Sequence, residues 1–381
     1  MTTIFNTNQV DLSVQPMFLG EDLGPVRYDQ QKYPIFDKLT KQQNEFFWNP
    51  EEINLQKDKE DFAQLQDHER HIFTKNISYQ ILLDSVQERS PLIAFLPLLS
   101  LPELESCVVT WSYFEAIHAR SYQYLMQNVF PNVTAALDDL LVDQKIRERA
   151  HEVTKYYDDL IEYGRAYLLL GPGYHEVKSS GSADVRVFDI NKRELKKKLY
   201  LCMAAVSALE AIRFYVSFVC SFAFGQLGKM VGNASIIKLI ARDEAQHLGI
   251  TTNILRNWQK KNDDPEMTQI AVECEQELYA IFDKVVQQEK EWASYLFKDG
   301  SIIGLNENLL HQYVEYIANK RMKAVGLKGV YSNNHNPFGW LSRWLESEKV
   351  QVAPQELEIT DYKVAAIKND IDESSLNEIE L

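Results

Sequence analysis

The amino-acid sequence predicts an all-α protein built as a helical bundle. Glycine is scarce, with 15 residues among 381, and proline contributes only 12. A chain of short strands and tight turns would need more of both. Apolar residues instead recur at helical spacing, and several of these segments exceed about 20 residues, a length that is common in bundles and long for other globular folds.

Three regions follow one another along the chain. Residues 1–35 contain prolines and little periodicity, which indicates an extended N-terminal arm. Residues 36–345 form the predicted helical domain, and alternating valines around a Ser/Gly turn predict a small β-hairpin near 175–189. The predicted helices span 36–47, 58–66, 67–88, 102–129, 134–169, 193–224, 233–259, 265–297 and 305–324.

The last region, residues 346–381, has a different composition. From Gln351 to Leu381 there are eight Asp or Glu residues against two Lys, and Tyr362 is the single aromatic residue. Such a segment buries too little apolar surface to order itself. A flexible acidic tail is therefore expected, which is either inert or a docking segment.

The overall charge and the N-terminus limit the function classes. The formal net charge of −15 argues against nucleic acid or an anionic membrane as the main partner, because either would favour a basic face. The start MTTIFNTNQVDLS lacks the basic and apolar regions of a signal peptide, and no segment reaches the roughly 18 apolar residues of a spanning helix. A cytoplasmic location is expected.

The cysteines are widely scattered and form no CxxC motif. Most of them stand among apolar neighbours, as in LYLCMAAV. This pattern predicts reduced, buried thiols rather than a thiolate metal site. The four residues are Cys107, Cys202, Cys220 and Cys274.

Two Glu-x-x-His pairs lie on apolar helical faces. Glu115 and His118 are three residues apart in EAIHARSY, so they are neighbours on one face of a helix. Glu244 and His247 repeat this spacing in LIARDEAQHLGI, beside isoleucine and leucine residues. The repetition suggests a duplicated site.

A third Glu-x-x-His pair occurs among charged residues and is not expected to bind metal. Eight histidines and abundant glutamate produce about one such pair by chance. Glu148 and His151 lie in QKIRERAHEV, where charged residues surround them on every side. A solvated helix face is the predicted location of this pair.

A further acid precedes each apolar pair at a similar distance. Asp84 lies 31 residues before Glu115 (115 − 84), and Glu210 lies 34 before Glu244 (244 − 210). Two helices joined by such an interval can pair as an antiparallel hairpin, which brings each acid opposite a Glu-x-x-His pair. Either acid alone would be read as a satisfied buried hydrogen-bonding group. Four acids and two imidazoles together indicate a metal site.

The composition of this set favours two iron or manganese ions. Bridging carboxylates neutralise much of the metal charge, and both cations accept such ligands. A structural zinc site would use thiolates or more histidines. Two Glu-x-x-His motifs with two further acids are the ligand pattern of ferritin-like dinuclear carboxylate proteins. The sequence therefore predicts a ferritin-like bundle with a dinuclear metal site, and a metal-free structural bundle is the alternative.

Tyr122 lies one turn after His118 on the same face. A tyrosine on a core face ordinarily packs its ring and finds an acceptor for its hydroxyl group. Beside a metal pair that activates O2, one-electron oxidation of the phenol becomes feasible. The resulting radical needs an acceptor for the departing proton and a dry, apolar environment.

These residues belong to an ordered series of motifs that extends over nearly the whole chain. The series comprises MFLGEDLGPVRYDQQKYPIF, FFWNPEE, LLDSVQERSP, LPELES, EAIHARSY, RELKKKLYLC, LEAIRFYVSF, LIARDEAQH, QQEKEWASYLF and VQVAPQE. In these motifs the sequence resembles the small, radical-generating subunit of class Ia ribonucleotide reductase. The resemblance implies that a di-iron centre and O2 generate a stable tyrosyl radical. It further implies relay of this radical to a large subunit, which reduces ribonucleoside diphosphates to deoxyribonucleotides.

The resemblance also implies roles for individual residues at and around the metals. The implied metal ligands are Asp84, Glu115, His118, Glu210, Glu244 and His247. Tyr122 corresponds to the radical-bearing tyrosine, and its apolar pocket corresponds to Phe214, Phe218 and Ile240.

A radical relay is implied as well. Trp48 and Asp243 correspond to its first residues, with Asp243 hydrogen-bonded to His118 and to Trp48. Without the resemblance, Trp48 would be read as an anchor at a helix end, and Asp243 as a residue that orients a metal ligand. Tyr362 and Glu356 of the tail correspond to the residues that pass the oxidising equivalent to the large subunit.

Partners and cofactors follow from the same resemblance. The expected partners are the large subunit, bound through the C-terminal tail, a second copy of the chain in a homodimer, and an electron donor for activation. Family tails often end near an aromatic anchor, whereas this one ends LNEIEL and offers Leu376, Ile379 and Leu381 instead. Two iron ions per chain and O2 are expected, and a mixed manganese and iron pair would accept the same ligands.

Two other functions use the same ligand set. A di-iron monooxygenase or desaturase would require an apolar substrate cavity that reaches the metals. A ferritin-like metal store would bind many ions per chain, and the length and the tail both argue against it.

Overall fold

The chain folds into a bundle of α-helices, seen in a computed structural model that describes residues 6–7, 9–21, 23–178, 185–261 and 263–345. The helices are α1 (Pro34–Glu45), α2 (Gln56–Gln64), α3 (Asp67–Gln87), α4 (Ser90–Ala94), α5 (Pro102–Val129), α6 (Val133–Val142), α7 (Gln144–Leu170), α8 (Lys192–Ala208), α9 (Tyr215–Gln226), α10 (Val231–Gln259), α11 (Pro265–Glu273), α12 (Glu275–Leu296), α13 (Glu307–Ala324) and α14 (Ser342–Leu345). The all-α prediction is confirmed.

The predicted hairpin is also present. Strand β1 (Gly173–Lys178) pairs antiparallel with β2 (Val185–Ile190), and Gly173 lies opposite Ile190. The hairpin packs against α7. Its predicted Ser/Gly turn lies outside the described residues.

Two long helices of the sequence prediction are each divided in the structure. The predicted helix 134–169 is interrupted at Asp143, whose carboxylate accepts hydrogen bonds from the backbone N–H groups of Lys145 and Ile146 and so caps the start of α7. The predicted helix 265–297 is interrupted at Cys274, which separates α11 from α12. Apolar periodicity continues across both breaks, so the pattern alone could not reveal them.

The centre of the bundle consists of five helices and one π-helical segment. Helix α5 packs against α3, and α10 packs against α5, α8 and α9. Between α8 and α9, residues Leu209–Phe214 form a single π-helical segment that had been predicted as ordinary helix. Segments of this kind insert one extra residue into a turn and are frequent at functional sites.

The most apolar helical stretch belongs to this centre. Lys192–Gln226 is long and apolar enough to cross a membrane, but 94% of its apolar window is buried inside the protein. It is a core element of the bundle. The four cysteines are buried and form no disulfide, as predicted.

The N-terminal arm packs onto the helical domain. Met17 and Phe18 are buried, the Phe18 ring lies 5.4 Å from that of Trp258, and the Leu19 N–H donates to the carbonyl of Leu98 at 2.8 Å. In the described part of residues 1–33 the chain forms neither helix nor strand beyond a single bridge from Phe18 to Leu99. The predicted boundary between arm and domain at residue 35 stays a prediction.

A buried acid on α2 caps the N-terminus of helix α10, which carries Glu244 and His247. The carboxylate of Asp58 accepts hydrogen bonds from the backbone N–H groups of Gly232 at 2.9 Å and Asn233 at 2.5 Å. These groups have no partner within the helix, and a carboxylate also interacts favourably with the positive end of the helix dipole.

Replacing Asp58 with alanine should lower the free energy of unfolding by about 1–2 kcal/mol, because a buried helix cap is lost. Denaturant titration measures this change. The matched control is Asp299→Ala, which removes an exposed acid whose ion pair with Lys298 spans 3.8 Å. Equal effects of the two substitutions would contradict the capping role.

Candidate metal centre

Six polar side chains converge in the middle of the bundle, all of them fully buried. Asp84 projects from α3, Glu115 and His118 from α5, and Glu244 and His247 from α10. Glu210 projects from the π-helical segment. The two acids and two Glu-x-x-His pairs recognised in the sequence thus meet at one place, and the exposed pair Glu148 and His151 stays on the surface, as predicted.

The two central glutamates lie between the two imidazoles. His118 Nδ1 lies 3.4 Å from Glu115 Oε2 and 3.3 Å from Glu244 Oε1. His247 Nδ1 lies 3.1 Å from Glu115 Oε1 and 3.2 Å from Glu244 Oε2. Each of these carboxylates therefore presents one oxygen to each histidine, and each could donate to two cations.

The donor atoms divide into two overlapping groups. Each group contributes four ligand atoms that lie within 4.8 Å of one another. The first group, called position 1 below, consists of Asp84, Glu115, His118 and Glu244. The second group, called position 2, consists of Glu115, Glu210, Glu244 and His247.

Unsatisfied atoms inside this cluster fit a pair of cations. Buried polar atoms in proteins are nearly always hydrogen-bonded. Here both oxygens of Asp84 and Oε2 of Glu210 receive no hydrogen bond of standard geometry. Carboxylate and imidazole donors in this number suit iron or manganese, so the residues present fit a dinuclear metal centre.

Crowding of like charges sets the protonation of the cluster. Burial, followed by the nearby charges of Glu115 for Asp84 and of Glu244 for Glu210, holds the pKa of both Asp84 and Glu210 well above the usual range. Burial also opposes ionisation of Glu115, but the neighbouring His247 and His118 lower the pKa of Glu115 to about 2.

The neighbouring carboxylates raise the pKa of both histidines. Burial disfavours the imidazolium form of His247, yet Glu244 and Glu115 raise the pKa of His247 to about 10. Burial likewise disfavours charged His118, while hydrogen bonds to Asp243, Glu115 and Glu244 raise the pKa of His118 well above its usual value. Without metal, the cluster therefore retains protons at neutral pH.

Tyr122 is buried next to this cluster. Burial, and after it the charge of Asp84, raises the pKa of Tyr122 well above its ordinary value, so the phenol is neutral. The hydroxyl group of Tyr122 also interacts directly with the carboxyl group of Asp84. Phe214, Phe218 and Ile240 are fully buried in the same apolar core, and the first two rings stack with centroids 5.8 Å apart.

A hydrogen-bonded path leads away from His118. Trp48 Nε1 donates to Asp243 Oδ2 at 2.8 Å, and the same oxygen lies 3.2 Å from His118 Nε2. Arg242 donates to the other oxygen of Asp243 at 3.1 Å and to the carbonyl of Phe46 at 2.5 Å. The carboxylate thus links the indole to the imidazole while an arginine fixes its orientation. Tyr362 and Glu356 lie outside the described residues.

Sequence reasoning missed several residues that touch the cluster. Trp111 Nε1 donates to Glu115 Oε1 at 2.9 Å, and Gln87 Nε2 donates to Glu210 Oε1 at 2.8 Å. Trp111 precedes Glu115 by one helical turn and Gln87 follows Asp84 by one, so shared helix faces could have indicated both. Nothing in the sequence pattern indicated Arg242.

The chain is similar to known proteins over nearly its whole length. The family model described as "Ribonucleotide reductase, small chain" matches residues 26–337. A ribonucleoside-diphosphate reductase 1 subunit beta from Salmonella typhimurium is 50% identical, covering 100% of this chain and 99% of the relative. The corresponding subunit from Haemophilus influenzae is 49% identical at the same coverage. The structure of a ribonucleotide reductase R2 subunit from Clostridium botulinum matches with a TM-score of 0.73 and 27% identity, covering 90% of this chain and 98% of that one.

Metal binding to the metal-free protein should strengthen as the pH rises from 6 to 8. Metal ions displace the protons that Asp84, Glu210, His118 and His247 retain because their pKa values are raised. Each proton released adds a factor of about ten in apparent affinity per pH unit.

Anaerobic calorimetric titration with Mn²⁺ in buffers of different ionisation enthalpy measures both the affinity and the number of protons released. His151→Ala, which alters the exposed Glu-x-x-His pair, should behave as the unmodified protein does. An affinity that is constant across this pH range would contradict the proton-loaded cluster.

Proposed function

The chain belongs to the ribonucleotide reductase small-chain family, and from this membership we propose that it generates and stores a radical on Tyr122 for that enzyme. A small chain of ribonucleotide reductase works together with a large subunit. The reduction of ribonucleoside diphosphates takes place there, and this chain supplies the oxidising equivalent. The single observation that carries the proposal is the buried phenol of Tyr122 beside the six-residue cluster.

The proposed cofactor is a pair of iron ions, and a manganese and iron pair is the variant that the same donors accept. Asp84, Glu115, His118 and Glu244 would hold one ion, and Glu210 and His247 would complete the site of the other. When bound, such a pair supplies, with O2, the oxidising power that removes one electron from a nearby phenol.

The surrounding residues are suited to receive the proton and protect the radical. Asp84 is the acid whose charge acts most strongly on Tyr122, and its carboxyl group interacts directly with the hydroxyl group, so it is the proposed acceptor for the hydroxyl proton. Phe214, Phe218 and Ile240 are fully buried, and as the proposed pocket of Tyr122 they would exclude water and supply no reducing group. These features support a long-lived radical.

The proposed exit route begins at His118, Asp243 and Trp48. Their hydrogen bonds of 3.2 and 2.8 Å join the cluster to a fully buried indole, which supports a path for coupled electron and proton movement. From Trp48 the oxidising equivalent would pass to Tyr362, with Glu356 beside it, in the tail that docks on the large subunit. A homodimer and an activating electron donor complete the proposed assembly.

A monooxygenase or desaturase is the competing enzyme class. It would require a substrate cavity that opens onto the metal ligands. One cavity of about 480 Å³ is lined by Ile161, Leu169 and Val177 near the hairpin, and another of about 500 Å³ by Phe297, Asn306 and His311. None of the six clustered side chains lines either cavity.

Tyr122→Phe should retain two metal ions per chain and lose the radical, because the substitution removes only the hydroxyl group that is oxidised. Electron paramagnetic resonance after adding ferrous iron and O2 measures the radical, and reductase activity with the large subunit should fall to background. Tyr113→Phe is the matched control on the same helix, since Tyr113 is 53% exposed. Unchanged activity of Tyr122→Phe would refute the proposed role.

Deleting the residues after Trp344 should keep the radical and abolish binding of the large subunit. The six clustered side chains and Tyr122 all precede this point, whereas the proposed docking segment follows it. Analytical ultracentrifugation of the mixed subunits measures the complex. A synthetic peptide of residues 346–381 should compete with the full chain, and retained affinity of the truncated chain would reject the docking role.

A further inference from the structure

A chain of two hydrogen bonds approaches the metal cluster from α7. The Tyr157 hydroxyl group donates to Gln87 Oε1 at 2.9 Å, and Gln87 Nε2 donates to Glu210 Oε1 at 2.8 Å. Tyr157 is 1% exposed, and Gln87 and Glu210 are 0% exposed. Three separate elements, α7, α3 and the π-helical segment, are thereby joined at one carboxylate.

The chemistry of the three groups determines which one donates and which one accepts in each of these two hydrogen bonds. An ionised carboxylate, the form that binds a cation, can only accept hydrogen bonds, so the amide must turn its NH2 group toward Glu210. Its oxygen then faces Tyr157, whose hydroxyl group can donate to it. If the amide were reversed, two oxygen atoms would face each other at Glu210, so the carboxylate sets the orientation of the amide. The hydrogen bond from Tyr157 then holds the oxygen end of that amide in place.

The orientation of the Glu210 carboxylate depends on this contact. That carboxylate has no other hydrogen bond among the described residues, and Oε2 is unpartnered. The backbone that carries it is anchored three residues later, where Arg213 donates to Glu289 at 2.9 Å and to Gln288 at 2.5 Å. The turn is therefore fixed, while the side chain is oriented only by Gln87.

We propose that Gln87 and Tyr157 are positioning residues that hold the Glu210 carboxylate toward position 2 of the metal centre. This inference rests on the proposed function, because it assumes that the cluster binds two ions. Glu210 belongs to position 2 and not to position 1. Loss of the positioning pair should therefore weaken one of the two metal positions and leave the other unchanged.

The experiment is an anaerobic titration of the metal-free full-length protein with Mn²⁺, whose free ion gives a six-line paramagnetic resonance signal. The unmodified protein should bind two ions per chain. Gln87→Met keeps the length of the side chain and removes both amide groups, and it should weaken one position by about 10–100-fold, the usual effect of removing a partner of a metal ligand. Tyr157→Phe should weaken the same position by a smaller factor.

The chain offers a matched control at its surface. Gln144 Nε2 donates to Glu148 Oε1 at 2.7 Å, which is the same amide-to-glutamate contact at the exposed Glu-x-x-His pair. Gln144→Met should leave both metal affinities unchanged. Tyr157→Phe retains the buried ring, so it tests the proposal even where Gln87→Met impairs folding.

Two variants that each lack one metal ligand show which of the two metal positions depends on Gln87. In His118→Ala, which removes a ligand of position 1, adding Gln87→Met should weaken the remaining ion by the same 10–100-fold range. In His247→Ala, which removes a ligand of position 2, adding Gln87→Met should change nothing. A spectral change of the Mn²⁺ bound at position 2 should accompany the loss of affinity.

The outcomes separate this inference from the proposed function. Equal weakening of both positions, or unchanged binding in both Gln87→Met and Tyr157→Phe, would overturn the positioning role while the dinuclear centre stands. Failure of the unmodified protein to bind two ions would instead overturn the centre itself.

Discussion

The structure depends on the burial of four carboxylates and two imidazoles at one point in an apolar bundle. Leaving a charged group unpaired in such an interior costs several kcal/mol, a large part of the roughly 5–15 kcal/mol that stabilises a folded domain. Glu115 and Glu244 offset part of this cost by lying between His118 and His247, at distances of 3.1–3.4 Å. Retained protons offset more of it, and bound cations would replace those protons.

The elements that carry the cluster form two similar halves. In one half α3 carries an acid opposite the Glu-x-x-His pair of α5, and in the other the π-helical segment carries an acid opposite the pair of α10. The groups around the cluster differ, however. Asp243 and Trp48 adjoin His118, whereas Gln87 and Tyr157 adjoin Glu210. The residues beside His118 thus form the start of the proposed radical path. The residues beside Glu210 are proposed to orient that metal ligand.

Much of this arrangement could be predicted from the sequence, because helical spacing is local. The i,i+3 spacing of Glu115 and His118 and the interval back to Asp84 indicated which side chains would meet. The break at Cys274 and the π-helical turn at Glu210 could not be predicted, since apolar periodicity continues through both. Contacts such as Tyr157 to Gln87 join residues 70 positions apart, and only tertiary packing brings them together.

We propose that this cluster binds two metal ions and that these ions, with O2, oxidise the adjacent phenol. Low-temperature electron paramagnetic resonance, combined with metal analysis, tests it directly on metal-free protein supplied with ferrous iron and O2. We expect two iron ions per chain and a tyrosyl doublet that is magnetically coupled to them and is absent from Tyr122→Phe. Two bound irons without a tyrosyl signal, or the same signal in Tyr122→Phe, would contradict it.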